Sequence, residues 1–234
     1  MGLEHLLECK NLSKCYNGIY ALHNLNLSIP RGRIVGLLGA NGSGKTTLMK
    51  LINGLLVPSE GQILIHGSTP SIETKQKVSY LPDINYLNDW MKITQLIDFF
   101  GDFYEDFDKN KAYDMLKRLN LDPKKQLKTL SKGMKEKVQL VLIMSRNADL
   151  YCLDEPIAGV DPASREYILN TIISNYNENA SILISTHLIA DIEMILDDAI
   201  FLQYGELKLY QSVEEIRNQH NMSLDAYFRE VFRC

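Results

Sequence analysis

The sequence predicts an α/β fold, with a mixed, mostly parallel sheet covered by helices, on three observations. Short apolar runs alternate with helical patterns from residue 149 onward: DLYCLDEP, a helix from Pro162, SILIST, a helix from His187, and AIFLQ. RIVGLLG is a compact apolar run suited to a strand buried on both faces. From about residue 92 to 146 the character changes to helical, which marks an inserted helical subdomain.

Each element follows in turn. LLECKNLSKCY and LHNLNLSI alternate in the manner of strands, punctuated by Gly18 and by Pro30-Arg31-Gly32, and predict an antiparallel β subdomain at the N-terminal end. After RIVGLLG comes a glycine-rich turn and the helix KTTLMKLINGLL, which ends near Gly54 and Pro58. QILIHG and KVSYLP read as two further short strands. The helical subdomain opens on the aromatic and acidic stretch LIDFFGDFYEDFD and continues through AYDMLKRLNL and MKEKVQLVLIMS. From about residue 204 to 234 a hairpin-like piece precedes the packing helices SVEEIRNQ and LDAYFREVF. The expected organisation is one domain over residues 1–234, without repeats or low-complexity tracts.

Bulk composition excludes several classes. A chain of 234 residues with 45% hydrophobic and 23% charged residues is an ordinary globular one. Its net charge of -4 gives no global pull toward nucleic acid. Cys9, Cys15, Cys152 and Cys234 show no C-x-x-C spacing, so they read as incidental thiols of a reduced compartment. MGLEHLLECK carries two glutamates where a secretion signal needs a basic region and a long apolar run. No apolar stretch approaches the ~18 residues that span a bilayer, so a membrane role is expected to come through a partner.

Two motifs carry chemistry. GANGSGKT, comprising Gly39, Ala40, Asn41, Gly42, Ser43, Gly44, Lys45 and Thr46, fills G-x-x-x-x-G-K-[ST] between an apolar strand and a helix, with Thr47 next. That is a P-loop: glycines let consecutive N–H groups turn inward, and the helix dipole adds to them. Lys45 is expected at the β- and γ-phosphates and the Thr46 hydroxyl at Mg²⁺. In DLYCLDEP, Asp154 ends an apolar strand, where it can hold Mg²⁺ through water, and Glu155 is placed to take a proton from the attacking water.

The order GANGSGKT, YLPD, LSKGM, LDEPIAGVDP, STH resembles the ATP-binding subunit of an ABC transporter over nearly the whole chain, of the small bacterial exporter type. The resemblance implies a P-loop NTPase core, with the helical subdomain, about 92–146, between the P-loop and the Walker B strand. It also implies ATP and Mg²⁺ as cofactors and a dimer with itself or a paralogous subunit. A separate integral membrane subunit is implied as partner, and no nucleic acid. The implied location is cytoplasmic, at the inner face of the cell membrane.

Residue by residue, the resemblance implies further roles. The family signature LSGGQ stands here as LSKGM: Ser131 and Gly133 match, while Lys132 and Met134 depart. Their implied ligand is the γ-phosphate of ATP bound to the opposite subunit, although Ser131 reads equally well locally as a plain helix N-cap. Tyr16 is implied to stack on adenine. Asp161, in GVDP, matches the loop that crosses the dimer interface, and it can also be the N-cap of a helix that starts at Pro162. His187, in STH, matches the histidine that contacts the γ-phosphate and aligns Glu155 with water. Asp83 replaces the usual glutamine after YLP; its hard carboxylate oxygen is expected still to sense Mg²⁺, with altered coupling to the membrane subunit.

The implied activity is ATP hydrolysis that powers transport, export by resemblance. The rival from another class is an ABC-type ATPase acting on nucleic acid, which would place a long coiled coil between P-loop and signature, where this chain has a compact helical segment. A translation-associated relative would carry two such domains, and a P-loop kinase would lack LSKGM and STH.

Overall fold

The structure, a computed structural model, describes residues 5–158 and 160–232, so Cys234 lies outside the described residues. β1 (His5–Tyr16) and β2 (Ile19–Pro30) form a hairpin around Asn17-Gly18, whose φ values of 50° and 83° make the two-residue turn that suits strand twist. β3 (Ile34–Leu38) is buried at every residue. It leads into α1 (Lys45–Ile52), and β4 (Glu60–Ile65) returns to pair antiparallel with β1. The first sheet is therefore β2-β1-β4, the expected antiparallel subdomain.

The second sheet has six strands in the order β5-β6-β7-β3-β8-β9. β5 (Val78–Leu81), β6 (Leu150–Asp154), β7 (Ser181–Thr186), β3 and β8 (Asp198–Gln203) run parallel, and β9 (Glu206–Ser212) is antiparallel on the edge. QILIHG and KVSYLP thus lie in different sheets. Alternate residues separate the two cores: Leu150, Cys152, Val35 and Leu37 pack toward α1 and the antiparallel sheet, whereas Tyr151, Leu153, Ile34 and Leu38 face the remaining helices.

Two helical expectations need correction. α2 (Ile72–Lys77), before β5, was not foreseen; a capping box of Ser71 and Thr74 makes six residues sufficient. The helix expected from His187 is only α7 (Ile189–Ile192), because the Thr186 hydroxyl accepts from Leu188 N at 3.0 Å and turns the chain first. α3 (Ile93–Phe103), α4 (Lys109–Arg118) and α5 (Lys132–Met144) lie between β5 and β6, α6 (Pro162–Asn175) between β6 and β7. α8 (Val213–His220) and α9 (Leu224–Val231) follow β9.

Arg146, just past α5, joins the helical layer to the sheet. It is 2% exposed, and its guanidinium donates to Asp106 at 3.0 and 3.1 Å and to the carbonyls of Gln76 and Val78 at 2.6 Å each. The Tyr104 ring lies 3.9 Å from Cζ. One planar cation thereby satisfies two carbonyls beside β5 and fixes the turn between α3 and α4.

Candidate functional site

The phosphate loop hangs between β3 and α1. Gly44, at the N-cap of α1, has φ 106°, and no side chain caps the helix, so its first-turn N–H groups are left for an outside acceptor. Crowding explains two of the loop's glycines. A Cβ on Gly39 would lie 2.4 Å from the Leu202 carbonyl oxygen, and one on Gly44 would lie 2.5 Å from that of Ala21. Lys45 folds back over the loop, donating to the carbonyls of Gly39 at 2.8 Å and Ala40 at 3.2 Å. Burial pushes the Lys45 ammonium pKa down, while the charges of Glu155 and Asp154 pull it back up. The loop is braced from behind: Gly205 N, in the β8–β9 turn, donates to Ser43 O at 3.1 Å. Asn41 and Gly42 stay exposed, and Thr46 and Thr47 sit half-buried on the first turn of α1.

The carboxylates come from the neighbouring strand. Asp154 pairs in register with Ser185 across β6 and β7, and its Oδ1 accepts from the Ser185 hydroxyl. Oδ2 has no hydrogen-bond partner among the described residues, although Asp154 is 1% exposed. Burial raises the Asp154 pKa; the Ser185 and Thr46 hydroxyls oppose this, and the charges of Asp83 and Glu155 push the same way as burial. A buried carboxylate with an unused oxygen beside a threonine hydroxyl is the donor set a hard cation takes. No group of three His, Cys, Asp or Glu side chains among the described residues could hold a metal alone.

Glu155 has φ 51°, a left-handed conformation uncommon for a side chain of its size. Two bonds from its N–H, to Ser185 O at 3.0 Å and Ser185 Oγ at 3.2 Å, hold it there. His187 Nδ1 lies 3.1 Å from both Glu155 carboxylate oxygens, and the imidazole is about half exposed. Ser185 escaped the sequence reading, although it stands in the quoted STH; a serine ending an apolar strand was the available signal.

Asp83 is exposed directly after β5 and lines one cleft with Lys132, Gln139, Asp154 and Glu155. Gln139 Nε2 donates to Ile84 O at 3.2 Å and ties that loop to α5. Ser131 caps α5, accepting from Met134 N at 3.3 Å, and a Cβ on Gly133 would meet nothing within 4 Å. Lys132 projects into solvent, loosely paired with Glu136 at 3.9 Å. Tyr16 ends β1 with 44% of its surface exposed. Asp161 is exposed at the start of α6, where its carbonyl accepts from Arg165 N at 3.2 Å. The structure therefore gathers Gly39–Thr47, Asp83, Asp154, Glu155 and His187 at one end of the parallel strands, and the start of α5, which carries Ser131 and Gly133, borders the same cleft through Lys132, whereas Tyr16 and Asp161 stand on separate surface elements.

Known proteins resemble this chain in sequence and fold. The family model described as ABC transporter matches residues 22–158. The ABC transporter ATP-binding protein YtrB of Bacillus subtilis is 33% identical over 220 residues, covering 92% of this chain and 75% of that protein. The SkfA peptide export ATP-binding protein SkfE of the same organism is 36% identical over 208 residues, covering 86% and 87%. A solved structure titled as the ATP binding subunit of an ABC transporter superposes with a TM-score of 0.88 at 29% identity, covering 97% of this chain and all of that one. The chain belongs to the ABC transporter family as an ATP-binding subunit, and it is an ATPase.

Proposed function

We propose that this subunit powers export through a separate membrane subunit, working as a dimer with two ATP molecules held between its chains. The observation that carries the reading is the uncapped, glycine-lined N-terminus of α1 facing Asp154 and the Glu155–His187 pair. Lys45 and the loop N–H groups hold the β- and γ-phosphates. Thr46 and Asp154, with Asp83 in the same cleft, would hold a Mg²⁺ ion, which would supply neutralisation of phosphate charge. Glu155 takes the proton of the attacking water as its oxygen bonds the γ-phosphorus and the bond to ADP breaks. His187 orients Glu155. Tyr16 stacks on adenine, and Ser131 and Gly133 reach the γ-phosphate of the opposite chain, with Asp161 beside that chain's P-loop.

Two further observations support the partners. Ile84, Tyr86, Trp90, Phe99 and Phe103 are exposed on α3 and the loop before it, an apolar surface beside Asp83 that suits a membrane subunit. No helix among the described residues is long and apolar enough to cross a membrane. Export follows the relative that bears that function in its name. Residues 1–234 act as one ATP-binding unit on the cytoplasmic face.

The test is Glu155→Gln with saturating Mg-ATP on size exclusion. A dimer that reverts to monomer when ATP is removed is expected. A variant that binds ATP and stays monomeric overturns the homodimer.

A further inference from the structure

We propose that Lys14 is a positioning residue for nucleotide recognition, holding the Tyr16 ring in its base-stacking orientation. The inference rests on the reading that Tyr16 meets adenine. Tyr16 lies beside the Asn17-Gly18 turn and is 44% exposed, so little packing fixes its ring. Lys14 supplies what packing does not. Its Nζ stands 5.2 Å from the Tyr16 ring centroid and donates to the carbonyl of Val57 at 2.8 Å. The ammonium is thus anchored at one side while it faces the ring at the other.

The anchor is itself stapled. Ser59 N donates to Ser13 O at 2.9 Å, Cys15 N donates to Ser59 Oγ at 3.0 Å, and the Tyr20 hydroxyl donates to Glu60 at 3.0 Å. The end of β1 and the segment before β4 therefore behave as one body, with Lys14 as the link that touches the aromatic ring. A cation against one face of a tyrosine restricts the ring and leaves the other face for a flat partner. A purine base binds a ring already held in place, without the cost of immobilising it.

The measurement is affinity for Mg-ATP and for Mg-tripolyphosphate, which keeps the phosphates and lacks the base. Lys14→Met should weaken ATP about threefold, the size of an exposed cation–π contact, and leave tripolyphosphate unchanged. Lys14→Arg should restore ATP affinity. In a Tyr16→Ala background, Lys14→Met should add nothing. Equal weakening of both ligands would make Lys14 a contributor of charge to the phosphate site and overturn the proposal. An undiminished ATP affinity in Lys14→Met, or an equal loss with Tyr16 absent, overturns it as well. If Tyr16→Ala alone binds ATP as wild type does, the stacking reading falls first and takes the proposal with it. Loss of folding cannot imitate the expected split, and affinities are compared only for variants whose circular dichroism and thermal midpoint match wild type, so that equal weakening reports charge alone.

Discussion

His187 Nδ1 stands equally close, 3.1 Å, to both oxygens of the Glu155 carboxylate, while Ser185 holds the Glu155 backbone from the other side. A carboxylate accepts only, so Nδ1 is the protonated ring nitrogen in this contact. The pair fixes the orientation of the Glu155 carboxylate, with the imidazole toward solvent.

That geometry predicts non-additive kinetics. Glu155→Gln should lower kcat by at least about a hundredfold, the range of a lost general base. His187→Ala should lower kcat by a smaller factor and leave ATP affinity within about twofold, because the histidine acts through the glutamate. The double variant should be no slower than Glu155→Gln alone. Phosphate release under saturating Mg-ATP reads all three, and multiplicative losses would show that His187 works independently.

The phosphate loop predicts a graded series among its glycines. Gly39→Ala would drive a methyl group to 2.4 Å from the Leu202 carbonyl oxygen, against backbone that cannot yield cheaply. It should lower stability by about 2 kcal/mol and remove ATP binding. Gly42→Ala enters open space and carries only the strain of φ 80°, about 1 kcal/mol. Thermal unfolding with and without ATP compares them, and a Gly42 variant as damaged as the Gly39 one would contradict the steric account.

Asp83 predicts a changed metal response. Its charge acts on Asp154 in the same cleft. Asp83→Gln should shift the Mg²⁺ concentration that gives half-maximal ATP hydrolysis, with the fold intact by circular dichroism. An unmoved Mg²⁺ dependence rules out metal sensing by this residue.

Arg146 predicts a stability defect far from the chemistry. Arg146→Met strips the partner from Asp106 and leaves two carbonyls beside β5 unsatisfied, for a loss of about 3 kcal/mol. Asp106→Asn, which keeps a hydrogen-bonding acceptor at a partly exposed site, should lose less. Urea midpoints measure both, and equal midpoints for Arg146→Met and wild type would refute the staple.

The parts of this molecule that were readable beforehand are those in which local chemistry and local pattern coincide. GANGSGKT states its turn, its helix start and its ligand within eight positions, and strands such as SILIST are buried throughout, so an apolar run suffices to identify them. α2 escaped because its six residues carry almost no apolar face; only its cap declares it. Ser185 and Lys14 escaped for a different reason. Ser185 matters only because β6 and β7 align it with Asp154, and Lys14 only because residues 57–59 return beside it. Arg146 could not be told from a surface arginine, since its partners lie 40 and about 70 positions away. Long-range pairing, which no window of sequence contains, decided each of these.

The neighbours of β3 also set a timetable. Its flanking strands are β7 and β8, and the turn that braces Ser43 is at Gly205. A ribosome that has delivered the complete phosphate-loop motif has therefore delivered none of the strands that hold it flat. Such distant pairing closes late. A nascent chain should acquire nucleotide-dependent resistance to protease only after β8 and β9 have emerged, so capture of ATP would report that synthesis has passed the final hairpin.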